Sequence, residues 1–169
     1  MKLLEGYAHK LGDRVSTDAH VSARAHPIGT PRRQLIAEMF QKLDPGLSGR
    51  IKKGDFIVAG DFFGTRSTFD DAIDIMREAG VAAVIAKSFG HLFFRCAVNC
   101  GLLVLAADTD EIESGDLLRV NLSEDHIVNA TRNLTLAFDP LPEFLLDIIN
   151  DGGVVKHISK YGDYRVSIK

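Results

Sequence analysis

GDFIVAGDFFGTRSTFDDAIDIMREAGVAAVIAKSFGHLFFRCAVNCG, residues Gly54 to Gly101, decides the fold. Phe56 to Ala59 is a short, unbroken apolar run, the pattern of a strand buried on both faces. Gly60 ends it and Gly64 punctuates the loop beyond it. Ser67-x-x-Asp70 and Thr68-x-x-Asp71 both approximate a capping box, so Ser67 or Thr68 is the expected N-cap of a helix. Ala72, Ile73, Met76 and Ala79 give that helix one apolar face, and Gly80 is a natural residue to end it. Val81 to Ala86 reads as a second buried strand. Ser88 is the expected cap of the next helix, on which Phe89, Leu92, Phe93, Cys96, Ala97 and Cys100 share a face. Gly101 closes it, and Leu102 to Ala106 is a third apolar strand. Strands alternating with helices imply crossovers and an α/β fold with a mostly parallel central sheet.

The loop from Gly60 to Asp70 leaves a strand and opens a helix, where free backbone N–H groups favour an anion. Arg66 adds positive charge there, and Ser67 and Thr68 add hydroxyls. The plainer reading is that Ser67 or Thr68 only caps, while Asp70 and Asp71 stabilise the helix start and repel an anion.

Outward from this stretch, Leu3 to Lys10 reads as a strand and Gly12 to Asp18 as a polar turn. Thr30-Pro31 predicts a helix with Thr30 as N-cap and Pro31 at the first position, followed by an apolar stripe of Leu35, Ile36, Met39, Phe40 and Leu43. Asp44-Pro45-Gly46 is a turn signal, and the segment on to Gly54 reads as an exposed linker. Asp108 to Gly115 is acidic and turn-like. Leu117 to Leu122 is a strand, and His126 to Ala130 with Asn133 to Phe138 is a hairpin about Thr131-Arg132. Leu141, Phe144, Leu145, Ile148 and Ile149 mark a last amphipathic helix ended by Gly152-Gly153. No repeat or domain boundary appears, so residues 1–169 are read as one domain.

The formal net charge of −3 and the absence of a basic block exclude a nucleic-acid binder. No apolar run approaches the roughly 20 residues of a membrane span, and MKLLEGYAHK lacks the apolar stretch of a signal peptide, so the expected compartment is the cytoplasm. The two cysteines, Cys96 and Cys100, stand at i, i+4 on an apolar helix face with no His at ligand spacing. They read as core thiols, with no metal site in this chain.

The chain resembles the small subunit of 3-isopropylmalate dehydratase, and so the swivel domain of the aconitase superfamily. The resemblance runs over nearly the whole sequence: GDRVSTDAHVSAR, IKKGDFIVAG, FGTRST, AGVAAVIAKSFGHLFFRCAVNCGLLVL, DEIESGD and LPEFLLDIINDGGVVKHI. It implies an aconitase-type swivelling β/β/α domain. The family loop Gly-x-Asn-Phe-Gly-x-Gly-Ser-Ser-Arg-Glu falls on Gly60 to Asp70, where Gly60, Phe63, Gly64 and Ser67 match. Phe62 stands for its Asn, Arg66 for its second Gly, Thr68 for its second Ser, Phe69 for its Arg and Asp70 for its Glu.

By this resemblance Ser67 stands at the position of the catalytic base and Thr68 and Gly64 are substrate-binding; Arg66, three residues before Phe69, is the residue expected to stand in for the missing Arg. The family Arg that grips a carboxylate is absent, because Phe69 offers neither donor nor charge. Thr17 and Asp18 match the family's active-site Thr-Asp, with local backbone bonding by Asp18 as the alternative. Arg24 lies where the family has Pro-Ala-Arg, and Ala25 to Thr30 replaces a loop that chooses the substrate side chain. His91, Arg95 and Asn99 form one helical stripe; Arg95 and Asn99 are expected to tie the helix to neighbouring backbone, with His91 at the surface.

The implied function is a subunit of a heteromeric hydro-lyase or isomerase acting on a small 2-hydroxy acid. A separate large aconitase-like subunit would carry a 4Fe-4S cluster, as a Lewis acid on the substrate's hydroxyl and carboxylate. The alternative is a non-catalytic binding or regulatory module on the same fold. A less charged or more apolar substrate group is expected beside Phe69 and Phe62.

Overall fold

The computed structural model describes residues 3–66 and 69–162. The chain runs β1 (Leu3–Lys10), α1 (Thr17–His20), a 3-10 turn (Ala23–Ala25), α2 (Arg32–Ala37), α3 (Leu47–Arg50), β2 (Phe56–Ala59), α4 (Asp71–Glu78), β3 (Ala83–Ala86) and α5 (His91–Cys100). It continues through β4 (Leu103–Ala106), β5 (Leu117–Asn121), β6 (His126–Asn129), β7 (Leu134–Ala137), α6 (Glu143–Asn150) and α7 (Val154–Tyr161).

One seven-stranded sheet results, in the order β4-β3-β2-β1-β5-β6-β7. The expected crossovers place β1 to β4 side by side in parallel, with Ala8 opposite Phe56, Phe56 opposite Ala83 and Ala83 opposite Leu103. Parallel pairing stops at β1. On its other edge β1 runs antiparallel to β5, Leu4 opposite Val120, and β5 to β7 continue as an antiparallel meander.

All four residues of β2 and of β3 are buried, as both-faced burial requires. Ile57, Ala59, Val84 and Ala86 face a core built from α2, α4 and α5, with Leu35, Met76 and Phe93 in it. Phe56, Val58, Ala83 and Ile85 share a second core with Leu118, Val120 and Ile127. The antiparallel half therefore curls over the second face of the parallel half. That is why β5 alternates, burying Leu118 and Val120 and exposing Arg119.

Several local expectations are corrected. Helix α4 is capped by Asp70, not by Ser67 or Thr68, and Asp70 makes no side-chain cap bond; Ser67 and Thr68 lie outside the described residues. Ser88 does not cap α5. Gly90 does, and the Ser88 hydroxyl instead accepts the Phe62 N–H at 2.9 Å. Leu92 leaves the shared apolar face and is exposed, because it sits one position round from Phe93. The cap of α2 is Pro31, in an extended conformation, while the Thr30 hydroxyl donates to the Pro27 carbonyl.

The stripe after Thr30 holds for Leu35, Met39 and Phe40, but the helix ends at Ala37 and Leu43 is exposed. The segment after Gly46 is not an open linker: α3 buries Leu47, and Ile51 follows it into the core. Arg95 and Asn99 are exposed, and neither side chain reaches described backbone. Helix α6 is not the last. Gly153, at φ 110°, starts α7, whose His157 is buried with Nδ1 2.7 Å from Asp151. No helix among the described residues is long and apolar enough to cross a membrane.

Candidate active site

The candidate site is the loop that leaves the carboxyl end of β2, the edge at which open parallel sheets bind ligands. Gly60 lets the Asp13 carboxylate lie close over its Cα, where a Cβ would push that side chain aside. That carboxylate accepts the Asp61 N–H at 2.8 Å, and the Arg14 N–H donates to the Asp61 carbonyl at 2.6 Å. The chain after β1 is thereby laced to the chain after β2.

Two residues on, Phe63 is wholly buried and makes an isolated parallel bridge to Phe89. Its N–H donates to the Ser88 carbonyl at 2.9 Å, and its own carbonyl accepts the Gly90 N–H at 2.8 Å. Its ring packs edge-on against Phe93, with centroids 5.1 Å apart. Gly64 has φ 79°, and a Cβ there would collide with Cβ and Cγ of Phe93. Its N–H donates to the Val15 carbonyl at 2.8 Å, two residues before Thr17. The first half of the loop is thus anchored by backbone on both sides. Arg66 comes next, exposed and at φ 54°.

Thr17 opens α1 and is wholly buried; Asp18 beside it is half-buried. The segment after α1 is pinned to the start of α4. The Ser22 hydroxyl donates to both oxygens of Asp71 at 3.0 Å, and the Ala23 N–H donates to one of them at 2.7 Å. Ser22 also caps the 3-10 turn by accepting the Arg24 N–H at 3.2 Å. The Arg24 guanidinium then lies over the Phe69 ring, 3.6 Å from its centroid.

Cys96 of α5 faces the same region. Burial, then a hydrogen bond to Asp70 and the charges of Asp70 and Asp18, push its thiol up to about 11. Burial, then the charges of Asp70 and Asp74, push Cys100 up to about 12. Two cysteines are too few for an iron–sulfur cluster, which takes three or four thiolates. No group of three or more His, Cys, Asp or Glu side chains among the described residues could hold a metal ion.

Of the residues expected from sequence, the structure brings together Gly64 with the loop that leads to Thr17 and Asp18, and Arg24 with Phe69. Ser67 and Thr68 lie outside the described residues, between Arg66 and Phe69. Three participants carry no mark of their role in the sequence: Asp71, which reads as an ordinary first-turn acid; Asp13; and Ser88, which reads as a cap. Each acts through a partner 26 to 49 residues away, and no local pattern signals that.

A model of the aconitase C-terminal domain family matches residues 46–110. The chain is 41% identical over 166 residues to 3-isopropylmalate dehydratase small subunit 2 of Archaeoglobus fulgidus, covering 98% of this chain and 100% of that one. It is 35% identical to the methanogen homoaconitase small subunit of Methanocaldococcus jannaschii, covering 94% of this chain and 92% of the relative. The crystal structure of a 3-isopropylmalate dehydratase from Methanocaldococcus jannaschii superposes with a TM-score of 0.87 at 34% identity, over 95% of this chain and 96% of that one.

Proposed function

The chain belongs to the family of 3-isopropylmalate dehydratase small subunits, and on that premise we propose that it is the small subunit of a heteromeric hydro-lyase acting on a 2-hydroxy acid. The observation that carries this is the match at 41% identity across 98% of the chain and the whole length of a relative named as such a subunit. Relatives named as enzyme subunits do not favour the non-catalytic module.

In this role Ser67 is the base. As an alkoxide it takes the proton from a carbon next to a carboxylate; a double bond forms as the C–O bond breaks with its electron pair on oxygen, and the departing hydroxide takes up a proton from solvent to leave as water, while Ser67 later gives its own proton back to solvent. A serine can do this only where its ionised form is stabilised, and Arg66 directly precedes it. Arg24 and Arg66 meet the substrate's carboxylate, together with the hydroxyl of Thr68, while Gly64, whose N–H is taken by the Val15 carbonyl, shapes the loop beneath them. Thr17 and Asp18 line the neighbouring wall. The rigid anchoring of Phe63 and Gly64 supports this, because a base must be held within a fraction of an ångström of the proton it removes.

The cluster would sit on a large aconitase-like subunit, since the thiols of this chain do not suit it. The site is then completed only on association. The working compartment is the cytoplasm, where free thiols such as Cys96 and Cys100 stay reduced.

The test combines this chain with its large subunit under anaerobic conditions and follows the unsaturated product of 3-isopropylmalate. Turnover is expected only when both chains are present. Full turnover by either chain alone, or none by the brown reconstituted complex with any 2-hydroxy acid, overturns it.

A further inference from the structure

We propose that Ser88 is a positioning residue: its hydroxyl holds Phe62 in a strained left-handed backbone conformation, and that conformation sets the turn from which the chain runs on to Ser67. This rests on the base role proposed above for Ser67 and names a residue outside the loop on which that role depends.

Phe62 has φ 54°. That region is costly for a residue with a bulky side chain, and Phe lacks the short polar group with which Asn or Asp eases it. Its ring gains little burial in return, because it is exposed. Strain of this kind persists only where the surroundings impose it. Here the neighbouring backbone is tied on both sides. The Gly60 carbonyl accepts the Lys87 N–H at 3.1 Å, the Asp61 N–H donates to Asp13, and the Asp61 carbonyl accepts the Arg14 N–H.

The two peptide planes that meet at the Phe62 Cα both rest on Ser88. The Phe62 N–H donates to its hydroxyl at 2.9 Å, and the Phe63 N–H donates to its carbonyl at 2.9 Å. The Ser88 hydroxyl in turn donates to the Asp61 carboxylate at 3.2 Å, which makes its oxygen a better acceptor for Phe62. The torsion between those planes is the strained one, so losing the hydroxyl lets it relax.

The consequence reaches the base through the next turn. The Phe62 carbonyl accepts the Thr65 N–H at 3.2 Å, closing a β-turn over Phe63 and Gly64, with Gly64 at φ 79°. Thr65 stands two residues before Ser67. A change at Phe62 therefore opens the turn and displaces the chain that carries Ser67. Arg24, on a different segment, stays where it is.

The test is a double-mutant cycle in the reconstituted two-subunit complex, with 3-isopropylmalate as the probe and Ser88→Ala, Phe62→Gly and both together as the variants. Ser88→Ala should lower kcat about 10- to 100-fold while KM stays within about threefold. Its urea unfolding midpoint should stay near wild type, because the lost bond lies at the surface, where water replaces it. With glycine at position 62 nothing opposes the left-handed conformation, so removing the Ser88 hydroxyl there should lower kcat by less than about threefold. Amide hydrogen exchange of Thr65 in this chain, which needs no turnover, should quicken about tenfold in Ser88→Ala and return towards wild type in the double variant. Unchanged kcat in Ser88→Ala, an equal loss in both backgrounds, or unchanged Thr65 exchange overturns the inference. A complex that turns over no 2-hydroxy acid while Thr65 exchange responds as described overturns the hydro-lyase role and leaves the Ser88 brace standing.

Discussion

The Asp71 carboxylate accepts the hydroxyl of Ser22 on both its oxygens, at 3.0 Å, across 49 residues of sequence. With the Ala23 N–H on the same carboxylate, this joins the segment carrying Arg24 to the helix that comes after the site loop. Ser22 is wholly buried, so its hydroxyl has no water to turn to if the acceptor is lost. Asp71→Ala should therefore cost about 1–3 kcal/mol in urea unfolding. In the complex, KM should rise more than kcat falls, because the substrate contact moves and the base does not. The comparison is Asp74→Ala, a half-exposed residue of the same helix, for which a change within about 0.5 kcal/mol is expected.

Gly64 and Gly12 make a paired test of loop rigidity. A Cβ at Gly64 collides with Phe93 and the backbone is at φ 79°, whereas a Cβ at Gly12 meets nothing within 4 Å. Gly64→Ala should lower stability by about 1–3 kcal/mol, through strain at positive φ and a forced shift of the ring. Activity of the complex should fall with it. Gly12→Ala should change stability by less than about 1 kcal/mol, and in the stabilising direction if anything. Thermal unfolding of the two variants side by side reads the difference.

The thiols predict an alkaline weakness. In the folded chain Cys96 is pushed up to about 11 and Cys100 to about 12, from an ordinary value of 9.0. Below pH 9 both are protonated in the folded and unfolded chain alike, and their contribution is fully present. Above pH 9 the unfolded chain releases these protons first, so stability falls as pH rises, until the folded thiols ionise near 11 to 12. Urea unfolding at pH 7.5 and pH 10 should show a larger loss for wild type than for the Cys96→Ala, Cys100→Ala double variant. Alkylation of the native thiols at pH 7.5 should be slow and should accelerate on unfolding.

The strand–loop–helix–strand–helix–strand order from Phe56 to Ala106 was legible, because each element has its own apolar period and a glycine at its end. The parallel half of the sheet came from the crossovers. The antiparallel pairing of β1 with β5 did not, since Leu3–Lys10 is joined to Leu117–Asn121 by contacts more than a hundred residues apart. Helix α7 was hidden because Gly152-Gly153 reads as an end, while Gly153 in fact begins a new helix. Of the candidate site, the resemblance offers the loop with Ser67, Gly64 and Arg24, and the structure describes Gly64 and Arg24 but not Ser67. The Arg24 stack on Phe69 and the Asp71 clamp were not, because they exist only once α4 packs beside the turn at Ala23–Ala25.

The most direct measurement is kcat and KM of the reconstituted complex with Ser67→Ala. If this chain supplies the base, kcat should fall by about 10²–10⁴, while KM stays within a few-fold and the large subunit still co-purifies with its iron. A variant whose kcat stays within a few-fold of wild type would contradict the assignment of the base to this chain.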